Sequence, residues 1–128
     1  MRPPSLPDLA ITFLYYRDLA GAEAFYRDVL GLPLVIDQGF AKIFRLAGGA
    51  HVGLVDEARG MNDWQEAKCV QLCLRVPDVD AWYDWAQGAG LADLSRLFEN
   101  EAIGIRAFVF RDPEGCQIEV QSATRPGA

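Results

Sequence analysis

Basic residues are in the minority in this chain: 12 lysines and arginines stand against 18 aspartates and glutamates, a net charge of −6. No basic cluster stands out, so the electrostatic footprint of a nucleic-acid binder is missing. Attraction to an anionic membrane surface is disfavoured for the same reason. No apolar run approaches the ~20 residues a membrane-spanning helix needs. Residues 1–7 contain Pro3, Pro4 and Pro7 and no apolar stretch of signal-peptide type. They read as a flexible tail, and a cytoplasmic location is expected. Cysteine is scarce, with only Cys69, Cys73 and Cys116. Cys69 and Cys73 lie four apart on a predicted strand, which sets them ~13 Å apart. A disulfide tolerates less than about 7 Å. No C-x-x-C pair is present, so neither a zinc knuckle nor a redox motif is indicated. Reduced, mostly buried thiols are expected. Histidine occurs once, at position 51.

Apolar residues are not scarce. At 51% hydrophobic over 128 residues, the chain is able to bury one core or two half-domains sharing one. The pattern favours halves, because the sequence repeats itself. Residues 41–54 align with 107–120 at an offset of 66, keeping Ala41/Ala107, Phe44/Phe110, Arg45/Arg111 and Gly49/Gly115 in place. Each copy reads as strand, tight turn, strand. Asp112-Pro113-Glu114-Gly115 supplies turn chemistry in the second. Upstream, Tyr16-Arg17-Asp18-Leu19 matches Val76-Pro77-Asp78-Val79 at an offset of 60. Strands are expected before each of these matches, over 10–16 and 70–76, and helices after them. Ala22, Phe25, Tyr26, Val29 and Leu30 form one apolar stripe, and Trp82, Trp85, Ala86 and Ala89 form the other. Asp18 and Asp78 are expected N-caps, and Gly31 and Gly90 expected left-handed C-caps. The division is a tail (1–7), a first βαβββ module (8–57), a linker (58–67), a second βαβββ module (68–122) and a C-terminal tail (123–128).

Two segments carry a family resemblance. Residues 18–32, with Asp18-Leu19, Phe25-Tyr26 and Val29-Leu30-Gly31, resemble the first-helix signature of the glyoxalase/bleomycin-resistance/dioxygenase (vicinal oxygen chelate) superfamily. Asp112-Pro113-Glu114-Gly115-Cys116-Gln117-Ile118-Glu119 resembles its last hairpin. The resemblance implies an α+β fold: two βαβββ modules forming a curved mixed sheet, a concave cavity on one face and helices on the other. It also implies a homodimer. It does not identify a reaction, because the superfamily hosts lyases, dioxygenases, epimerases, thiol transferases and drug-binding proteins.

Metal-using relatives place one His, Glu or Gln on the first and last strand of each module. The repeat register carries those positions to Ile11, Gly53, Gln71 and Glu119. Ile11 has no donor atom and Gly53 no side chain; Gln71 is a weak neutral donor and Glu119 a strong one. No metal or other cofactor is therefore expected. A site shifted to His51, Gln71 and Glu119 is the exception considered, but a two-residue displacement moves a Cα by about 6.6 Å. A polar residue at a strand start explains His51 better.

Strand alternation sorts the remaining residues. Leu14, Tyr16, Leu72, Leu74 and Val76 should face the helices. Phe13, Tyr15, His51, Gln71, Cys73, Arg75 and Glu119 should line the cavity, with Gly53 leaving a gap. Trp82, Trp85, Phe25 and Tyr26 are expected in the core. Trp64 is weighed as a cover for the cavity mouth or an interface residue. The leading reading is metal-independent binding of a small organic ligand. The alternatives are a metal-dependent lyase or dioxygenase with an atypical site, and a metal-free enzyme using Glu119 as acid or base.

Overall fold

The computed structural model describes residues 1–128. It divides into two compact units, Met1–Gln65 and Glu66–Ala128, here modules one and two. Module one runs β1 (Ala10–Tyr16), α1 (Leu19–Ala24), a π-helical turn (Phe25–Val29), β2 (Leu34–Asp37), β3 (Ala41–Ala47) and β4 (Ala50–Asp56). Module two runs β5 (Gln71–Arg75), α2 (Val79–Gly88), β6 (Phe98–Asn100), β7 (Ile105–Arg111) and β8 (Gln117–Ala123). Each module is βαβββ and holds its own four-stranded open sheet, ordered β1-β4-β3-β2 and β5-β8-β7-β6. In both, the first and last strands pair in parallel and the other pairings are antiparallel.

The repeat holds down to single register positions. Ile11, Phe13 and Tyr15 pair with His51, Gly53 and Val55. Gln71, Cys73 and Arg75 pair with Gln117, Glu119 and Gln121. The hairpins agree as well: Ala41↔Val55, Ile43↔Gly53 and Arg45↔His51 match Ala107↔Gln121, Val109↔Glu119 and Arg111↔Gln117. The offsets of 60 and 66 thus describe one pairing scheme used twice.

Local chemistry sets the boundaries. Asp18 accepts from the Gly21 N–H at 3.0 Å and Asp78 from the Ala81 N–H at 3.1 Å, each satisfying an otherwise orphaned donor at a helix start. Gly31 (φ 67°) and Gly90 (φ 69°) take the left-handed conformation just past the helical segments. The β7–β8 turn is closed by Asp112. Its Oδ1 accepts from the N–H groups of Glu114 (3.0 Å) and Cys116 (2.9 Å), and its own N–H donates to the Cys116 carbonyl (2.8 Å). Ser122 ties α2 to β8, accepting from the Val79 N–H at 2.9 Å and donating to the Val76 carbonyl at 2.7 Å.

In module one, buried Tyr16 and Tyr26 bring their hydroxyls to 3.2 Å, and Tyr26 lies against Phe44. In module two, the helix presents Val79, Tyr83 and Ala86 inward, with Tyr83 edge-on to Phe108. This corrects the expected core role of the tryptophans. Trp85 is 37% exposed and Trp82 half-buried, and the two pack edge-to-face on each other beside that stripe. The thiols need a second correction. All three are free, but only Cys116 is buried, since Cys69 precedes β5 and Cys73 points to the face opposite Leu72 and Leu74. No helix is long and apolar enough to cross a membrane. Strand β8 runs to Ala123, one residue past the expected boundary. The segment after it is held by the Thr124 N–H to the Gly104 carbonyl and by Arg125 to the carbonyls of Glu101 and Ala102.

Candidate functional site

On module one, alternation puts Leu14 and Tyr16 on the buried side of β1 and leaves Ile11, Phe13 and Tyr15 on the other. Phe13 lies across Gly53. A Cβ built at residue 53 would stand 2.4 Å from Phe13 Cδ1 and 2.5 Å from Cε1. The gap expected at Gly53 is therefore filled by the Phe13 ring, because the parallel register sets the two residues side by side. Phe13, Tyr15, Phe40, Val55 and Met61 wall a pocket of about 150 Å³, with Gln38 at its edge.

The chain after β4 completes that pocket. Asp56 turns it, accepting from the backbone N–H groups of Arg59 (3.0 Å) and Gly60 (2.9 Å) at its carbonyl and from Ala58 (3.0 Å) at its carboxylate. Gly60 then lies so close to Tyr15 and Val55 that a Cβ would meet either at 2.6 Å. Asn62 donates to the Tyr15 hydroxyl at 3.1 Å, and the Arg59 guanidinium sits 5.4 Å from the Phe40 ring centroid. Phe40, Gly60 and Met61 were not expected here. Residues 58–67 read as a linker, and a glycine in a polar stretch is a weak signal for close approach to a strand. Trp64 does not line the pocket. It stacks under the Arg17 guanidinium at 3.6 Å, and its backbone N–H donates to the Glu57 carboxylate at 3.4 Å. His51 shares the strand face but is only 5% exposed, with Nδ1 3.0 Å from the Gly49 carbonyl. It is bound up with the hairpin turn and lies four residues from Val55.

On module two the equivalent face is polar and brings together Gln71, Cys73, Arg75 and Glu119. Glu119 is half-buried. Gln71 Nε2 donates to its Oε1 at 2.7 Å and Gln121 Nε2 to its Oε2 at 2.5 Å. A carboxylate only accepts, so it fixes the orientation of both amides. Gln71 must then turn its carbonyl oxygen outward, where Gln117 Nε2 donates to it at 3.4 Å. Gln117 in turn offers its oxygen to Arg111 at 3.5 Å. On the other side, Gln121 accepts from Arg75 Nε at 2.9 Å. Glu119 is thus the centre of a relay ending in Arg111 at one end and Arg75 at the other. The Cys73 thiol lies 4.0 Å from Glu119. Burial pushes its pKa up, the Glu119 charge adds to this, and Arg75 offsets part of it. Cys73 is therefore held as the thiol, the form that is neither nucleophile nor metal ligand.

The donor set does not fit a metal of the superfamily type. In module one, Ile11 and Gly53 supply no donor, and an aromatic ring occupies the space in front of residue 53. In module two, Gln71 and Glu119 satisfy each other. No group of three His, Cys, Asp or Glu side chains is placed to hold an ion.

The two mixed sheets and the repeated register define a βαβββ two-module protein. The chain belongs to the Glyoxalase/Bleomycin resistance protein/Dioxygenase superfamily, whose sequence profile matches residues 9–120. Among solved structures it is similar to a lactoylglutathione lyase from Agrobacterium tumefaciens, at 27% identity and TM-score 0.74, covering 99% of this chain and 100% of that one. It shares its fold with a glyoxalase/bleomycin resistance protein/dioxygenase from Nocardioides, at 18% identity and TM-score 0.77, covering 98% and 89%. It also shares its fold with the fosfomycin resistance protein FosX from Listeria monocytogenes, at 16% identity and TM-score 0.72, covering 94% and 96%. No curated protein matches the sequence.

Proposed function

We propose that this chain binds a small organic molecule without a metal, and that the module-one pocket takes a single aromatic or similarly flat ring. The observation that carries the reading is the Phe13 ring seated over Gly53. It replaces a donor position with an aromatic wall. Pockets for drug-sized ligands run to about 300–1,000 Å³, so 150 Å³ limits this one to a ring-sized group. An apolar cavity of that volume accepts a molecule as large as benzene. Tyr15 and Gln38 supply polar edges. On module two, Gln71, Cys73, Arg75 and Glu119 remain candidates for polar contacts with a ligand. Both Glu119 oxygens already hold amide donors, which favours a hydrogen-bonding anchor over a proton-transfer base. The lyase activity named for one relative is not carried over, because Ile11 and Gly53 offer no ligand.

The test is thermal unfolding in the presence of p-cresol, indole and toluene, with and without a chelator. A ring compound at 100 times its Kd adds ~2.7 kcal/mol of stability. The response should persist in chelator and weaken in Tyr15→Ala. A response that requires a divalent metal, or none from any ring compound, sinks the proposal.

The same reading keeps a homodimer and a cytoplasmic setting. The edge strand β2 exposes Val35 and Ile36, and open edges invite a partner strand or cover. Exposed free Cys69 and Cys73 suit a reducing compartment. Light scattering near 14.1 kDa at micromolar concentration would contradict the dimer.

A further inference from the structure

We infer that module two carries a separate binding site for an organic carboxylate, at the end of its sheet where Gln71, Gln117 and Arg111 stand in one cross-strand row. The row follows from the pairings Gln71↔Gln117 and Arg111↔Gln117. It opens into a cavity of about 240 Å³ lined by Lys68, Cys69, Val70, Gln71, Arg111 and Gln117. In a chain of net charge −6, this lining holds two cations and no carboxylate. The site uses no residue of the module-one pocket and does not rest on the ring-binding proposal; of the module-two polar set Gln71, Cys73, Arg75 and Glu119 it shares only Gln71.

The hydrogen-bond network leaves one amide N–H and a loosely held guanidinium available to an anion. Because Glu119 takes the Gln71 NH₂ group, Gln71 shows its oxygen to Gln117, and Gln117 shows its own to Arg111. The Gln117 NH₂ has two hydrogens and spends one on a long, 3.4 Å bond to Gln71. Arg111 is weakly engaged at its outer edge. Its Nη1 donates to the Gly115 carbonyl at 2.8 Å, its Nη2 reaches Gln117 only at 3.5 Å, and its ion pair with 78%-exposed Asp93 is 3.8 Å long. A guanidinium in that state is able to form a bidentate pair with a planar carboxylate, which is short and charge-assisted. Lys68 adds a second positive charge from the strand lead-in. The volume equals about eight waters at ~30 Å³ each, more than an inorganic oxyanion fills. Cys69 and Val70 provide the less polar wall for an organic body.

Titration calorimetry on the full chain with succinate tests the assignment, using the neutral diamide succinamide and inorganic phosphate in parallel. Succinate is expected to bind, more weakly as salt is raised. Its Kd should rise at least about tenfold in Arg111→Gln and in Lys68→Gln. Tyr15→Ala should leave it unchanged, which separates this site from the ring pocket. Succinamide should not bind, and phosphate should bind at least about tenfold more weakly than succinate. Both cationic side chains are partly solvent-exposed, and an unchanged circular-dichroism melt of each variant confirms folding. Should Arg111→Gln fail to fold, Lys68→Gln alone decides. No heat with succinate at about 10 mM, which corresponds to affinity weaker than ~3 kcal/mol, overturns the inference. So does equal binding in the folded variants, or phosphate binding as tightly as succinate.

Discussion

Replacing Gly53 by alanine forces a conflict that removal of one ring resolves. The new methyl would lie 2.4 Å and 2.5 Å from two Phe13 ring carbons and 3.1 Å from Ile11 Cγ2. Carbon atoms prefer about 3.5–4.0 Å, so the ring must retreat by roughly 1 Å or turn out. Overpacking of this kind costs about 1–3 kcal/mol. Phe13 is 45% exposed and has somewhere to go, so the lower end, about 1 kcal/mol, is expected. In a Phe13→Ala background only the 3.1 Å approach to Ile11 Cγ2 remains, which a shift of a few tenths of an ångström relieves. There Gly53→Ala should instead stabilise by about 0.4–1 kcal/mol, because alanine restricts the unfolded chain more than glycine does. The coupling between the two substitutions is then about 1.5–2 kcal/mol. Urea unfolding of the wild type, both single variants and the double variant measures it, provided the slope m stays constant. Independent sites add to within about 0.3–0.5 kcal/mol. Additivity of that quality would refute the claim that Phe13 occupies the side-chain space of residue 53, and the pocket wall built on it.

Three further outcomes follow from other parts of the molecule. Asp112, 2% exposed, holds two turn N–H groups through one carboxylate oxygen, so Asp112→Ala should lower the urea-derived stability by about 2–4 kcal/mol, while a loss below 1 would show that water replaces it. The Arg106 hydrogen bond, with a smaller Coulomb contribution, lowers the Asp80 pKa; a depressed carboxyl contributes stability above its unfolded pKa and loses it as pH falls through the folded one, so wild type and Asp80→Asn should differ in urea midpoint at pH 7 and converge in strong acid, and a difference that grows on acidification would reverse the sign. Burial and the Glu119 charge raise the Cys73 pKa, so Glu119→Gln should quicken iodoacetamide labelling of Cys73 at mildly alkaline pH, and peptide mapping showing no gain would contradict the arrangement around Glu119.

The backbone was legible because its signals are redundant. Asp18 and Asp78, Gly31 and Gly90, and the Asp-Pro-Glu-Gly turn each mark an element end independently, and the repeat lets one half check the other. Strand parity was legible for the same reason: a one-residue error on β1 would have put Tyr16 in solvent instead of against Tyr26. The helix faces were less so. Trp82 and Trp85 lie on the apolar stripe at helical spacing, yet Tyr83 makes the inward contact and donates its hydroxyl to the Ser95 carbonyl at 3.0 Å. A tyrosine with a satisfied polar tip is as good a core residue as a tryptophan, and periodicity alone does not rank them. The pocket was half legible. Phe13 and Tyr15 follow from alternation, but Gly60 and Met61 reach it through a turn set by Asp56, and no periodicity describes a turn. His51 and the residue-53 gap failed for a different reason. Parity gives the face of a side chain, not which neighbour reaches the space first.

The paired registers also show how the two faces came to differ chemically. Phe13 beside Gly53 in module one corresponds to Cys73 beside Glu119 in module two. In each pair one residue is large and the other small, but the large one sits on opposite strands. The space above the pair is filled once in both cases, from the first strand in module one and from the last in module two. A donor at residue 53 therefore needs two changes, a longer side chain there and a smaller one at 13, since either alone overfills or empties the spot. The same exchange governs polarity. Once Glu119 projects from the last strand, its acceptor-only oxygens call for donors, and Gln71 and Gln121 beside it supply them. Once Phe13 projects from the first, the neighbours it meets are Ile11, Tyr15 and Val55, and an apolar pocket results. Two modules with one hydrogen-bonding ladder thus present a ring-lined face and an amide-lined face, and the difference traces to which strand of a single residue pair carries the bulk.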